Sequence, residues 1–337
     1  MSETRTKVLL SADDRTGSLE IGGLVANEKF VVPVGPHATS ELACVVDIAS
    51  RHLTVAQAQA NMEQTLRTDA EHRAHKMDAG LRGNWAQEIE VLLLAGYKIA
   101  VICAYPDAGR RCQDGVVYIH DLPVLESVFG KDPLNRQISS KPVDVLEHFG
   151  IAGDVVVWDA NTNVEMLAAI KRAVAQDRIV VGASGAVGMF ANLFLATGRP
   201  RQVQLPRPML VVCGSLNPLS REQLRRTGLA VQELGTPLSL RRNITILATA
   251  MREGRIPDRE ALPVAGQIAA ATRAVWDTVE SVIVIGGDTA GAIIGDETVE
   301  TLGCVAAGIP VSRYRQKLVV TKGGGIGLPD TITDLVT

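Results

Sequence analysis

The stretch from Ser281 to Gly295, SVIVIGGDTAGAIIG, allows few folds. Val282 to Ile285 is an apolar β-branched run, the pattern of a strand buried on both faces. Gly286 and Gly287 follow at once, and Asp288 and Thr289 stand before a small-residue run that reads as a helix. An Asp or Thr at that boundary predicts a side-chain N-cap. Strand, double glycine and helix start together make an anion site. The glycines let a ligand approach the backbone, and the helix N-terminus offers N–H groups and a partial positive charge. The same pattern is also a tight turn in any α/β protein, so the rest of the chain has to decide.

The junction recurs. Met209 to Cys213 reads as a strand that runs into Gly214-Ser215-Leu216-Asn217-Pro218 and a helix. Lys317 to Thr321 is the last strand, and it ends in Lys322-Gly323-Gly324-Gly325-Ile326-Gly327. Three glycine-bearing strand ends close together suggest an extended cradle for an anion or nucleotide. The chain has no GxxxxGK[ST], which excludes a P-loop enzyme, and no HRD with DFG, which excludes a protein kinase.

The N-terminal half has a different character. Lys7 to Ser11 is a strand that ends in Asp13 and Asp14, with a helix expected from about Ser18. Carboxylates at the carboxyl end of a strand stand where open α/β sheets bind ligands. One of the two could cap the helix, and the other is more than capping needs. Phe30 to Val34 and Leu42 to Ile48 read as strands, with Asp47, Ser50 and Arg51 at the end of the second. The spacing predicts a long helix over Thr54 to Ala74. His72 and His75 would share one face of it, without a third metal ligand, so a solvated face is the expectation. Lys76, Asp78, Arg82 and Asn84 crowd one glycine-containing stretch before a helix near Trp85, and Lys76 and Arg82 suit a substrate carboxylate.

Strands are expected at Lys98 to Ala104, Asp154 to Trp158 and Arg178 to Val181. Tyr105 to Gly115 and Asp132 to Asn135 read as loops. Gly182 to Gly188 looks like a dinucleotide fingerprint, but the glycine spacing is wrong and no acidic residue follows about twenty positions on. Close helix–strand packing is the expectation there, with an NAD-dependent oxidoreductase as the minor rival. Thr197 to Pro208 reads as a linker. The fold expected is α/β: two α/β domains with mainly parallel sheets and an interdomain cleft, divided as 1–205 and 206–337.

Bulk properties narrow the partners. The net charge is −3 and no basic run occurs, so nucleic acid is not expected. Aromatics make up only 4% of the 337 residues, which argues against a stacking cleft. No apolar stretch approaches ~18 residues, so no membrane span is expected. Met1 to Lys7 is polar, so no signal peptide is expected either. Cys44, Cys103, Cys112, Cys213 and Cys304 are scattered, mostly within apolar runs, and read as reduced residues of a cytoplasmic protein.

Ten segments in order carry a resemblance: ADDRTG at 12–17, ASRHLTVAQA at 49–58, KMDAGLRGN at 76–84, YPDAGR at 105–110, DPLN at 132–135, WDANT at 158–162, VGASG at 181–185, CGSLNPLSREQL at 213–224, GGDTAGA at 286–292 and TKGGGIG at 321–327. Together they resemble the four-carbon acid sugar kinase family, from about residue 7 to 331. The resemblance implies an N-terminal domain that binds the sugar acid and a C-terminal domain that binds ATP with Mg2+. Asp13, Arg51, Lys76, Asp78, Arg82 and Asn84 then look like the substrate side. Ser215, Gly286, Gly287, Asp288, Thr289 and Gly324 look like the nucleotide side. Asp13 or Asp14 would orient the attacking hydroxyl, with Asp13 favoured for its place at the strand end. Departures from the family pattern include Ala79-Gly80 in place of Ser-Thr and Asp288-Thr289-Ala290 in place of Glu-Thr-Ser. They leave a second reading, a sugar-acid-binding protein with impaired turnover. A homodimer is compatible with either.

Overall fold

The computed structural model describes residues 6–127, 129–131, 137–196, 198–250 and 258–337, with backbone alone at 131 and 258–262. The chain forms two compact units. One runs to Val25 and resumes over Val32–Gly198; the other joins Ala26–Val31 to Arg199–Thr337.

The first unit contains β1 (Thr6–Ala12), α1 (Arg15–Val25), β2 (Val32–Gly35), β3 (Ala43–Asp47), α2 (Val55–Leu66), β4 (Ala70–Lys76), α3 (Trp85–Leu94) and β5 (Lys98–Ile102). It continues with β6 (Arg110–Gln113), β7 (Val116–Ile119), β8 (Leu122–Pro123), α4 (Pro142–His148), β9 (Val155–Val157), α5 (Asn163–Ala175), β10 (Arg178–Gly182) and α6 (Ser184–Asn192). Its main sheet runs β2-β3-β1-β4-β10-β5-β9, and every pairing in it is parallel. Parallel strands covered on both faces read as continuous apolar runs, and Ile99 to Ile102 is fully buried accordingly. Trp85, Ile89, Met62 and Met77 fill the core under Leu9, Cys44 and Val101. The strand ends are level: Ala12 pairs with Asp47 and Lys76, and Gly182 pairs with Lys76 and Ile102.

Three local expectations are corrected here. The helix expected over 54–74 ends at Leu66, and Ala70–Lys76 is a central strand. A Thr54–Gln57 capping box starts α2. The polar strand β4 is tolerated because its neighbours satisfy it: Arg73 donates 3.0 Å to the Thr65 carbonyl and also reaches the Thr68 carbonyl. His72 therefore lies on a strand, stacked on Phe194, and not on a helix face with His75. The helix expected from Ser18 begins at Arg15. The loop expected over Tyr105 to Gly115 includes β6, which pairs antiparallel with β7 in a small sheet completed by β8. The Asp132 to Asn135 loop lies outside the described residues.

Gly182, Gly185 and Gly188 serve close packing. A Cβ on them would come 2.1 Å from the Ile102 carbonyl oxygen, 2.4 Å from the Tyr105 ring and 2.9 Å from Leu24, respectively.

The second unit contains β11 (Met209–Cys213), α7 (Pro218–Arg226), β12 (Val231–Glu233), β13 (Ile244–Ala248), α8 (Asp258–Ala274) and β14 (Ser281–Ile285). It ends with α9 (Gly287–Ile294), β15 (Val299–Ala306), β16 (Ile309–Tyr314), β17 (Lys317–Lys322) and α10 (Thr331–Val336). Its strands follow the order β12-β13-β11-β14-β17-β16-β15. The first four pairings are parallel and the last two antiparallel. Again the ends are level, since Cys213 pairs with Ala248 and Ile285, and Ile285 with Lys322.

The side-chain N-cap expected at Asp288 or Thr289 is also corrected. Gly286 is the N-cap, with φ 120°, and no side chain caps the helix. Both residues fall inside the first turn of α9. All five cysteines are free, four of them buried.

Candidate functional site

At the carboxyl edge of the first unit, the β1, β3 and β4 ends bring six charges together. Lys76 Nζ lies 2.9 Å from both Asp13 Oδ1 and Asp14 Oδ1. The Arg51 guanidinium spans Asp13 and Asp14 at 2.8 Å each and reaches Asp78 at 3.3 Å. Arg82 closes a two-pronged pair on Asp78, at 2.8 and 2.9 Å, and lies over the Phe129 ring. Asn84 donates to the carbonyls of Ser50 and Leu53 at 2.8 and 3.0 Å, fixing the loop that carries Arg51. All the residues expected on the substrate side thus converge, and the three cations are matched by three carboxylates.

The two aspartates divide the work. Asp14 accepts the Gly17 N–H at 3.0 Å, so it caps α1 while joining the cluster. Its side chain is 22% exposed; that of Asp13 is 1% exposed, with one oxygen on Lys76 and the other on Arg51. Burial works against the charge on Asp14, but Arg51 and Lys76 outweigh it and hold the carboxyl well below the usual carboxylate range. Asp78 is held low in the same way, against burial, by Arg82 and Arg51. Burial opposes the Lys76 charge, yet Asp13 and Asp14 push it above the ordinary lysine value. Asp47 goes the other way. Burial raises it to about 6, and Arg15, 3.9 Å away, offsets that only in part.

Next to the cluster in sequence lies a buried polar chain. Ser11 Oγ is 2.9 Å from His75 Nδ1, and His75 Nε2 is 2.8 Å from Glu88 Oε2. Ser50, next to Arg51, donates to the other Glu88 oxygen. No sequence signal marked Glu88, because its two partners, His75 on β4 and Ser50 after β3, lie far from it in the chain.

The second unit's edge is built from backbone. The α9 N-terminus follows Gly286, whose N–H is taken by the Lys322 carbonyl at 2.8 Å. Gly287 and Asp288 are exposed, and Thr289 is buried. Gly324 lies so near Ser215 that a Cβ would come within 2.3 Å of its hydroxyl oxygen. Ser220 donates 2.6 Å to the Gly324 carbonyl, and Gln223 donates to the carbonyls of Ile326 and Leu328. Lys322 is 1% exposed, and its ammonium donates to the carbonyls of Gly323 and Ile326 at 2.9 and 2.8 Å. Burial lowers it to about 8. Ser215, Gly286 to Thr289 and Gly324 are thus neighbours around one glycine loop. The uncapped helix start, the loop too tight for a side chain and the buried cation fit a phosphate group. Among the described residues no group of three His, Cys, Asp or Glu could hold a metal ion. Nor is any described helix long and apolar enough to cross a membrane.

Known proteins resemble this chain along nearly its whole length. Residues 8–150 match the family described as a sugar-binding N-terminal domain. Over 95% of its length the chain is 28% identical to a D-threonate kinase of Bordetella bronchiseptica, covering 94% of that protein. It is 30% identical to a D-threonate kinase of Cupriavidus necator over 66% of this chain and 64% of that protein. The resemblance to the four-carbon acid sugar kinase family is thus borne out, and the chain is similar to sugar-acid kinases.

Solved structures share the fold. A Salmonella typhimurium LT2 protein provisionally named a tRNA synthase superposes with a TM-score of 0.75 at 17% identity, over 97% of this chain and 98% of that one. A Bordetella bronchiseptica DUF1537 protein, a domain-swapped dimer with bound citrate, gives a TM-score of 0.50 at 23% identity, over 96% of each chain.

Proposed function

We propose that this chain is an ATP-dependent kinase that phosphorylates a hydroxyl of a small sugar acid, most simply a four-carbon one. One observation carries the reading. The charged cluster on Asp13, Arg51, Lys76 and Asp78 stands at a level row of parallel strand ends, inside the segment that matches a sugar-binding domain.

Phosphoryl transfer asks mainly for positioning and charge stabilisation. In this reading Asp14 orients the attacking hydroxyl. It keeps partial exposure and stays ionised, whereas Asp13 is enclosed by Arg51 and Lys76. Asp13 thereby becomes the group that holds the two cations in place. The glycine loop at 323–327, Ser215 and the α9 N-terminus receive the nucleotide phosphates. Magnesium would supply charge neutralisation at the phosphates when bound. A homodimer, the Bordetella protein being a domain-swapped dimer, and a cytoplasmic location complete the proposal.

A coupled assay of ATP consumption over D-threonate, D-erythronate and related C4 to C6 sugar acids tests it. At least one acid is expected to stimulate turnover at ordinary kinase rates of ~1–100 s⁻¹, with activity lost on chelating magnesium. Binding of sugar acids without any stimulated turnover would leave only a binding protein.

A further inference from the structure

In the cluster at the first unit's edge every cation already has a carboxylate. Lys76 and Arg51 hold Asp13 and Asp14, and Arg82 holds Asp78. A ligand carboxylate arriving there competes with three resident ones. One cation at the same edge is placed differently. Arg110 is 8% exposed, its Nη1 donates to the Ala108 carbonyl at 3.2 Å, and its Nε is buried without a hydrogen-bond partner. No carboxylate among the described residues pairs with it. A guanidinium buried without a direct ion-pair partner is costly, and a ligand anion offsets that cost.

The fold ties Arg110 to the strand ends. Two backbone hydrogen bonds, 2.9 and 3.0 Å, lock it to Tyr105 just beyond the β5 end. The Tyr105 ring packs on Gly185, and the preceding residue, Ser184, opens α6 beyond the β10 end. Ser184 donates 2.8 Å to Glu20 Oε2 on α1. Burial pushes the Glu20 carboxyl up, and of the charges that oppose this Arg110 is the largest, followed by Lys76. Arg110 and Glu20 thus act on each other without forming an ion pair, and Glu20 also feels the Lys76 of the main cluster.

We infer that Arg110, Glu20 and Ser184 form a second arm of the acid site. Arg110 takes the carboxylate of the sugar acid, and Glu20, held by Ser184, accepts from one of its hydroxyls. The inference rests on the reading that the first unit binds a sugar acid, and it adds which groups recognise the two ends. Guanidinium suits a carboxylate because its donors match both oxygens at once. One such arm takes one carboxylate, and Glu20 takes a hydroxyl, so the class of ligand is a hydroxylated carboxylic acid.

Calorimetric titration separates the parts. The probes are D-threonate and D-erythronate, each beside its uncharged polyol, D-threitol or erythritol. Wild type is expected to prefer the better acid over its polyol by about 30-fold or more, the order expected for a buried charged partner. Arg110→Gln should reduce that preference to below about 3-fold while leaving ATP affinity unchanged. Glu20→Gln should weaken acid and polyol alike. Where Arg110→Gln does not fold, Arg110→Lys decides, with a preference at least about 5-fold below wild type, because a point charge cannot make the two-pronged contact. An unchanged preference in a folded Arg110 variant overturns the inference and leaves the kinase reading standing. A wild-type protein that binds neither acid overturns the inference and the four-carbon form of the kinase reading.

Discussion

The two carboxyl edges are built on the same plan, level parallel strand ends followed by glycine turns, and they treat charge in opposite ways. At the first, Arg51, Lys76 and Arg82 face Asp13, Asp14 and Asp78, so six charges sum to zero. At the second, Lys322 lies 1% exposed against backbone carbonyls, with no carboxylate partner among the described residues. A balanced cluster has its geometry fixed before any ligand arrives, which suits the recognition of a small polar molecule by shape and hydrogen bonds. A cation held only by carbonyls keeps its field available, which suits a phosphate chain. On the proposed reading, the difference between the edges is the difference between the two substrates.

The balance at the first edge is the larger energetic feature. Lys76→Met leaves the 1%-exposed Asp13 with Arg51 alone. Removing one member of a buried charge group costs ~3–5 kcal/mol, mostly as the uncompensated charge left behind. Urea unfolding of Lys76→Met should show a loss of that order, and the double variant Lys76→Met/Asp13→Asn should recover ~1 kcal/mol or more of it. A loss under ~1 kcal/mol in the single variant would mean that the cluster is not a balanced unit and that the contrast between the edges is superficial.

Asp47 sharpens the same comparison from the margin of the cluster. Its carboxyl titrates at about 6 when folded, against the 3.8 of an ordinary aspartate. Between those values the folded protein binds more protons than the unfolded chain. Stability therefore falls as pH rises from about 4 to about 6, and the penalty is complete above that. Asparagine carries no such penalty and can still accept the Ala49 N–H, which Asp47 takes at 3.1 Å. Asp47→Asn is expected to be more stable than wild type by up to ~3 kcal/mol at pH 8, since each tenfold change in proton affinity is worth ~1.4 kcal/mol. The advantage should vanish near pH 4. An equal difference at both pH values would assign the effect to packing.

The two edges also differ in how far they could be read from sequence. Asp13, Arg51, Lys76, Asp78 and Arg82 announce themselves, because charged residues at apolar strand ends have few structural uses, and the structure brings them together. The arrangement of those charges was not legible. That Lys76 binds Asp13 and Asp14 depends on β4 lying beside β1, and AEHRAHK shows neither the apolar run nor the clean alternation of a strand. Its polarity is satisfied by residues distant in sequence, such as Ser11 and Glu88 around His75. Helical spacing over 54–74 therefore misled, and tertiary partners overrode it. At the second edge the glycine junctions were legible in place but not in detail. The positive φ belongs to Gly286, so the helix starts at Gly287 and Asp288 cannot cap it. The burial of Lys322 gave no signal, because the carbonyls that hold it have no residue type.

Lys322 is where the comparison can be tested most finely, through two responses of opposite sign. Burial lowers its ammonium from 10.5 to about 8. Between about 8 and 10.5 the unfolded chain binds more protons than the folded one, so this group makes stability rise with pH over that window. Phosphate binding runs the other way. It needs the charge, so ATP affinity should fall as pH passes through about 8, by ~10-fold at most, or ~1.4 kcal/mol. A purely structural lysine would show the first response without the second. Lys322→Met should flatten both, because methionine has nothing to titrate, while sugar-acid affinity stays as in wild type. The measurements are chemical denaturation and ATP titration of both proteins at pH 7 and pH 9. If wild-type ATP affinity is the same at the two pH values, the buried cation only ties the glycine loop, and the charge contrast between the edges has no functional content.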